Sequence, residues 1–144
     1  MASTDDTTHL ARTVLDNLQW QHDWIQLRII THSPTDGTPF PRPMVFGLPP
    51  RRLYVHPDDQ VALVRSGEVS DKTLLETPEF EWVLPTYLAE KWSTKAFADV
   101  FDSLPSQASK HLDRPKRIVF APIHSDSTVT YYVMHDGIVK PRQN

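Results

Sequence analysis

Proline is the residue that most restricts how this chain can fold. The 144 residues contain thirteen prolines and only four glycines. Because proline fixes φ and has no backbone N–H, it interrupts helices and central strands and stiffens the loops between them. We therefore expect short helices and strands with rigid connections. The length is that of one domain, and we predict a single domain over residues 1–144.

Composition excludes several classes of function. There is no cysteine, which rules out disulfides, thiol catalysis and thiolate metal sites and fits a reducing compartment. The net charge is -3, and the basic residues come in short pieces rather than in one stripe, so autonomous nucleic-acid binding is disfavoured. No apolar run is long enough to span a membrane, and the acidic start lacks the features of a signal peptide. We expect a soluble intracellular protein without membrane insertion.

The N-terminal part predicts a helix followed by a strand. Leu10, Val14 and Leu18 recur every four residues on one helix face, with Thr7 or Thr8 as the cap. The alternation from Trp24 to Ile30 then predicts a strand. Its expected inward face consists of Ile25, Leu27 and Ile29.

Proline-rich and polar stretches follow this strand. Ser33 to Pro43 is predicted as a loop, either static or ordered by a partner, and residues 1–8 and 33–43 are expected to be flexible. Leu53 to Val55 reads as a short strand leading into a helix from His56 to Gly67. Glu68 to Glu79 reads as a polar connection.

The clearest helix follows a short apolar run that Pro85 is expected to end. Ser93 is the predicted N-cap, and Trp92 before it is placed to pack on Phe97. Helical spacing predicts a buried stripe, which is stopped by Pro105. The stripe consists of Phe97, Val100, Phe101 and Leu104. Residues 106–112 are expected to add a turn or two of helix.

The last third predicts a strand meander. Arg117 to Ile123 is apolar on both faces, which is typical of a strand covered on both sides. His124 to Ser127 is a predicted turn, and Thr128 to Met134 a second strand. Asp136 and Gly137 form a hairpin signal before a third strand over residues 138–140.

Two constellations raise the question of chemistry. His124, Asp126, His135 and Asp136 are potential metal ligands, but a full strand separates the two turns, so we expect exposed polar residues and no metal site. Tyr54 and His56 share one strand face and would suit metal-independent RNA cleavage. The alternative, which we favour, is that His56 caps a helix and Tyr54 belongs to the core. No catalytic, cofactor-binding or metal-ligating residue is predicted.

Six blocks of sequence are distinctive, namely residues 52–60, 81–86, 90–92, 116–121, 126–132 and 135–144. These blocks resemble those of a known family, the fungal-type Sen-fifteen family, the smallest subunit of the tRNA-splicing endonuclease. The resemblance covers nearly the whole chain and is most specific at its end.

The resemblance implies a mixed α/β (α+β) fold, like the C-terminal nuclease domain of the tRNA-intron endonucleases, with an open edge strand in a C-terminal meander. It implies a structural, non-catalytic subunit that needs no cofactor. The expected partner is the catalytic subunit that cuts the 3′ splice site, and a second catalytic/structural pair completes a heterotetramer. Pre-tRNA would be met only through the complex, and the isolated chain could form a homodimer. The implied location is the nucleus, or the cytosolic face of mitochondria in some fungi.

This chain departs from the catalytic Tyr/His/Lys pattern of that complex. Tyr54 and His56 are too close together, and Lys110 and Lys116 occupy roughly the right region but have no partners to complete the triad. An unrelated protein-binding module with an exposed strand edge is the further alternative. By position in the resembled fold, the partner interface is the acidic turn and the strand after it, with Tyr132 and Met134 expected to face the partner. The predicted interface residues are His124, Ser125, Asp126, Val129, Tyr131, Tyr132, Val133 and Met134.

Overall fold

A computed structural model describes residues 4–53, 78–105 and 116–136. These ranges contain two helices and five strands, which confirms the mixed α/β class. The strands form one sheet in the order β1-β2-β3-β4-β5, antiparallel except for the parallel pair β3–β4. The elements are α1 (Thr4–Gln21), β1 (Ile25–His32), β2 (Pro39–Leu48), β3 (Glu81–Tyr87), α2 (Thr94–Ser103), β4 (Arg117–Ile123) and β5 (Tyr132–His135). Within these ranges neither helix is long and apolar enough to cross a membrane.

Helix α1 covers one face of the sheet. Its predicted stripe of Leu10, Val14 and Leu18 is buried, and this confirms the periodicity. The stripe packs with Val45, Val83, Val119, Ala121 and Ile123 from the strands, and we call this the first cluster. The predicted cap is wrong, because the helix extends back to Thr4 and both Thr7 and Thr8 lie inside it. No Pro or Gly stands before Leu10 to stop the helix, so its hydrogen-bonded turns continue upstream.

Helix α2 covers the opposite face, as part of the connection that a parallel strand pair requires. The Ser93 hydroxyl accepts a hydrogen bond from the Ala96 N–H at 3.0 Å, which confirms the predicted cap. The rings of Trp92 and Phe97 lie 4.9 Å apart, and the predicted stripe is buried. The stripe packs on Phe40, Met44, Trp82, Leu84 and Ile118, and this is the second cluster.

Prolines lie inside three of the described strands, and in two of them, β2 and β3, the sequence predicted a loop and a strand end at these positions. The loop is confined to residues 33–38, since β2 begins at Pro39. The register of β2 with β1 shifts between the pairs Ile30↔Met44 and His32↔Pro39. Pairing of β2 with β3 begins only at Val45. Pro41 and Pro43 thus lie in a bulge that needs no ladder donor. Likewise β3 pairs with β2 only over residues 81–83, so Pro85 leaves no donor missing on that side and the strand continues to Tyr87.

Arg42, between two of these prolines, ties β2 to the segment before α2. Its guanidinium donates to both carboxylate oxygens of Glu90, at 3.0 and 2.7 Å, and to the Pro85 carbonyl at 3.2 Å. It also lies 4.8 Å from the centre of the Trp92 ring. Burial alone would raise the pKa of Glu90, but hydrogen bonds from Arg42 and from the Tyr87 N–H together lower it.

Strand β1 departs from simple alternation at its start. Gln26 has a φ of 54°, and the register with β2 shifts between Ile25 and Arg28. Consequently Ile25 is 56% exposed, whereas Leu27 and Ile29 pack on the first cluster as predicted. Leu27 lies directly over Gly47, where an added Cβ would stand 2.4 Å from its Cδ2.

The C-terminal strands are placed as predicted, with one change in length. Strand β4 contributes Ile118 to the second cluster and Val119 to the first, so both of its faces are covered. The second strand is shorter than Thr128 to Met134, because Val129 forms only an isolated bridge with Ile123 and regular pairing begins at Tyr132. The predicted helices over 56–67 and 106–112 and the strand over 138–140 lie outside the described residues.

Candidate protein interface

The candidate interface is built on β5, the last strand of the described sheet. Its residues pair with β4 from Arg117↔His135 to Phe120↔Tyr132. In the part of the chain that the structure describes, no strand pairs with the other edge of β5. Such an edge presents backbone N–H and C=O groups that can accept a strand from another chain.

Two predicted interface residues are engaged inside the chain. The Tyr131 hydroxyl donates a hydrogen bond to Asn17 Oδ1 of α1. The Tyr131 ring meets His22 edge-on at 5.2 Å, and burial raises the pKa of Tyr131. Val129 packs with Tyr131 against the first cluster. The structure therefore places both side chains between α1 and the sheet.

The remaining β5 side chains differ in exposure. Tyr132 is 56% exposed and Val133 is 39% exposed. Met134 lies on the same side of β5 as Tyr132, beside Ile118, but it packs on the second cluster. Of the two residues predicted to face the partner, Tyr132 presents the larger free surface.

The predicted turn begins directly after β4. Its backbone closes with hydrogen bonds from the Ser127 N–H to the His124 carbonyl, at 2.9 Å, and from the His124 N–H to the Thr128 carbonyl, at 2.8 Å. Asp126 Oδ1 accepts from the Thr128 hydroxyl at 2.6 Å and from the Thr128 N–H at 3.1 Å. These bonds lower the pKa of Asp126, so the turn carries an exposed carboxylate beside the exposed Ser125.

Two apolar residues that the sequence analysis missed extend this surface. Tyr87 is 40% exposed and Leu88 is 54% exposed at the end of β3. The Leu88 N–H donates to the Ile123 carbonyl at 3.0 Å, which holds this segment beside the start of the turn. The sequence carries this signal as an apolar pair after Pro85-Thr86, but the prediction that Pro85 ends the strand leaves the pair out.

A charged network that the sequence analysis also missed lies at the other end of the sheet. Arg117 Nη2 bridges Glu79 at 2.7 Å and Glu81 at 2.9 Å, and Arg52 meets Glu79 at 2.8 Å. Glu81 is 1% exposed. Glu81 belongs to β3 and Arg117 to β4, so the network joins these two strands rather than forming an open site.

The histidines do not assemble a metal site in the described residues, where no group of potential ligands converges. His124 follows the end of β4, and its Nε2 lies 3.2 Å from Thr130 Oγ1. His135 pairs with Arg117 at the start of β4. The two predicted turns thus lie at opposite ends of the strand, in agreement with the sequence analysis.

Lys116 is engaged at the end of α2. Its Nζ donates to the carbonyl oxygens of Phe101 and Leu104, at 2.9 and 2.8 Å. The Phe101 carbonyl also accepts from the Leu104 N–H at 3.2 Å, so Lys116 adds a charged donor to this helix end. Tyr54, His56 and Lys110 lie outside the described residues.

Comparison with known proteins gives consistent matches. The family model described as Sen15 protein matches residues 13–144. The probable tRNA-splicing endonuclease subunit tsp-1 of Neurospora crassa is 42% identical over 160 residues, covering 100% of this chain and 70% of the relative. The probable tRNA-splicing endonuclease subunit sen15 of Schizosaccharomyces pombe is 28% identical, covering 94% of this chain and 82% of the relative. A third relative, the tRNA-splicing endonuclease subunit SEN15 of Eremothecium gossypii, is 35% identical over 68 residues, 44% of this chain and 52% of its own length. The chain belongs to the Sen15 protein family.

Proposed function

We propose that this chain is a structural subunit of a tRNA-splicing endonuclease and that it does not itself cut RNA. The observation that carries the proposal is the match over the full chain to a relative named as a subunit of that enzyme. The finer parts of the proposal are the partner, the surface that binds it and the absence of catalysis.

The proposed partner is the catalytic subunit for the 3′ splice site, bound through β5. Support comes from the exposed Tyr132 and Val133 and from the edge of β5 that no described strand occupies. The turn 124–127, with its exposed carboxylate at Asp126, would then contact a second catalytic/structural pair in a heterotetramer. An ionised carboxylate at a turn suits a basic partner surface, since complementary charge guides docking.

A non-catalytic role is supported by Lys116. Among the described lysines, Lys116 occupies roughly the region in which the catalytic subunits carry the lysine of their Tyr/His/Lys pattern. A lysine that acts on a transition state must direct its ammonium group at the reacting phosphate. The Lys116 ammonium is directed at two carbonyls of its own chain instead. Lys116 stands directly before β4, and its own carbonyl accepts from the Asp136 N–H at 2.8 Å.

The deciding experiment combines co-purification with a nuclease assay. The full chain would be expressed with and without the catalytic subunit, and each preparation would be tested on intron-containing pre-tRNA. We expect a stable heterodimer, with no cleavage by the chain alone.

Cleavage by the pure chain that is lost in His56→Ala would overturn the proposal in favour of a ribonuclease using Tyr54 and His56. A chain that forms no complex with the catalytic subunit would instead be a different binding module. Light scattering of the chain alone would measure homodimer formation.

The proposed location is the nucleus, or the cytosolic face of mitochondria in some fungi. Imaging of the tagged full-length chain in fungal cells tests this directly. A uniform cytosolic signal would contradict it.

A further inference from the structure

A run of four aromatic rings in contact leads from the second cluster to the protein surface, and its outermost pair is stacked. Phe40 and Trp82 are buried, and their ring centres lie 5.3 Å apart. Trp82 meets Phe46 at 4.6 Å, and Phe46 meets Phe80 at 5.0 Å. The last two rings are parallel to within 3°, and Phe80 is 41% exposed. The chain therefore presents an exposed aromatic ring whose position is fixed by three rings behind it.

Two exposed arginines lie close to the Phe46–Phe80 pair of rings. Arg28 of β1 is the direct cross-strand partner of Phe46, so their side chains stand on the same face. Arg28 is exposed and makes no ion pair with the described residues. Arg51 is likewise exposed, and the neighbouring ion pair Arg52–Glu79 holds its segment beside Phe80.

An exposed stacking surface beside exposed guanidinium groups has a defined ligand chemistry. Unpaired nucleotides stack their bases on aromatic rings, and their phosphates bind arginine. Among the described residues, Phe46 is the one ring that stacks on Phe80. A base can continue the stack beyond it, with little ordering cost because the ring is already fixed.

We propose that Phe80, supported by Phe46 and flanked by Arg28 and Arg51, binds an unpaired nucleotide of the RNA held by the complex. This inference rests on the proposed function for the identity of that RNA. It adds a direct contact between this chain and pre-tRNA, on a surface separate from β5 and the turn. The net charge of -3 does not oppose it, since the acidic neighbours of Phe80 in the sequence, Glu79 and Glu81, are paired with Arg52 and Arg117.

The test uses the assembled endonuclease with pre-tRNA made uncleavable by 2′-deoxy sugars at the cut sites. Affinity would be measured by fluorescence anisotropy, and assembly by light scattering of the same samples. Phe80→Ala should weaken RNA binding about five-fold or more, and Phe80→Trp should restore it. Phe80→Leu, which keeps an apolar side chain but no ring, should behave like Phe80→Ala. Arg28→Ala should also lower the salt dependence of binding, by about 0.7 in the slope of log K against log salt.

Matched controls come from α1. Trp20→Ala removes an aromatic side chain that is 73% exposed, and Arg12→Ala removes an exposed arginine. Neither should change RNA affinity. Ultraviolet crosslinking should join RNA to the peptide that contains Phe80.

The outcomes separate this inference from the proposed function. Failure of the wild-type chain to assemble would refute the function. Normal assembly with unchanged RNA affinity in Phe80→Ala, or equal affinity of Phe80→Leu and Phe80→Trp, would refute the nucleotide site alone. Weakened assembly with unchanged RNA affinity would make this a protein contact and would also overturn the inference.

Discussion

The guanidinium of Arg117 and the carboxylate of Glu81 face each other across the parallel pair β3–β4, with Nε 3.0 Å from Oε1 and Nη2 2.9 Å from Oε2. Burial raises the pKa of Glu81, although the hydrogen bonds from Arg117 act in the opposite direction. The carboxylate is thus held by its partner in a place where water cannot reach it. Its titration must affect the stability of the fold.

The first prediction concerns pH. A carboxyl group whose pKa is raised on folding stabilises the protein below its unfolded pKa, and this contribution is lost as the pH rises through the folded pKa. The free energy of unfolding of the wild type should therefore fall, relative to Glu81→Gln, as the pH rises from below 4.5 towards neutrality. Glu90→Gln is the control of opposite sign. Because folding lowers the pKa of Glu90, the wild type should gain stability relative to Glu90→Gln as the pH rises to about 4.5. Urea unfolding at several pH values measures both, and parallel curves would contradict the prediction.

The second prediction concerns the packing of α2. Phe97 is 8% exposed between Trp92 and Phe120, and Phe97→Ala should cost about 3–5 kcal/mol of unfolding free energy. Trp92→Ala should cost less, because Trp92 is only half-buried. Lys95→Ala, on the exposed side of the same helix, should change stability by less than about 0.5 kcal/mol. Denaturant midpoints that do not separate Phe97→Ala from Lys95→Ala would show that the helix is packed differently.

The third prediction concerns the end of α2. Lys116→Met keeps the apolar stem but removes two charged hydrogen bonds, and it should cost about 1.5–3 kcal/mol. Lys95→Met is the matched control, since it breaks an exposed pair with Asp99 that is worth about 0.3–0.5 kcal/mol. Hydrogen exchange should show faster opening of the last turn of α2 in Lys116→Met. Equal exchange in the two variants would refute the cap.

The fourth prediction concerns the strand that meets the partner. Tyr132→Lys should leave the free chain stable, because the side chain is 56% exposed, but it would place a charge in the proposed interface. We expect a loss of about 3 kcal/mol, more than a hundredfold in Kd for the catalytic subunit. Met134→Lys should weaken binding and also lower the stability of the free chain, since Met134 packs on the second cluster. Calorimetry of binding and urea unfolding of the free chain separate the two effects. Unchanged Kd in Tyr132→Lys, with Trp20→Lys as control, would place the interface elsewhere.

The fifth prediction concerns the turn. Asp126→Lys reverses an exposed charge, and it should weaken formation of the tetramer while leaving the first heterodimer formed. Asp126→Asn is the finer variant, because its amide oxygen can still accept from Thr128 while the charge is lost. Mass measurement of the complexes in solution distinguishes dimer from tetramer. A tetramer that forms normally in both variants would exclude a charge contact at the turn.

Features set by neighbouring residues were predictable from the sequence, and those set by distant ones were not. Helix α2 was predicted with its cap and stripe because both depend on residues three or four apart. The engagement of Tyr131 was not, because its partner Asn17 is 114 residues away. The pairing of Glu81 with Arg117 depends on the register of a parallel strand pair, which no local pattern encodes. The prolines of β2 and β3 were misread because a proline disrupts a strand only where a neighbouring strand needs its N–H.

The part of β2 that does not pair with β3 has a consequence for self-association during folding. Residues 39–44 extend beyond the part of β2 that pairs with β3. A strand side without ladder pairs is ordinarily a template for aggregation, since another chain can hydrogen-bond to it. Three of its six residues are proline and donate no hydrogen bond. This stretch therefore offers few N–H donors to a stray strand, which disfavours pairing between newly made chains at this place.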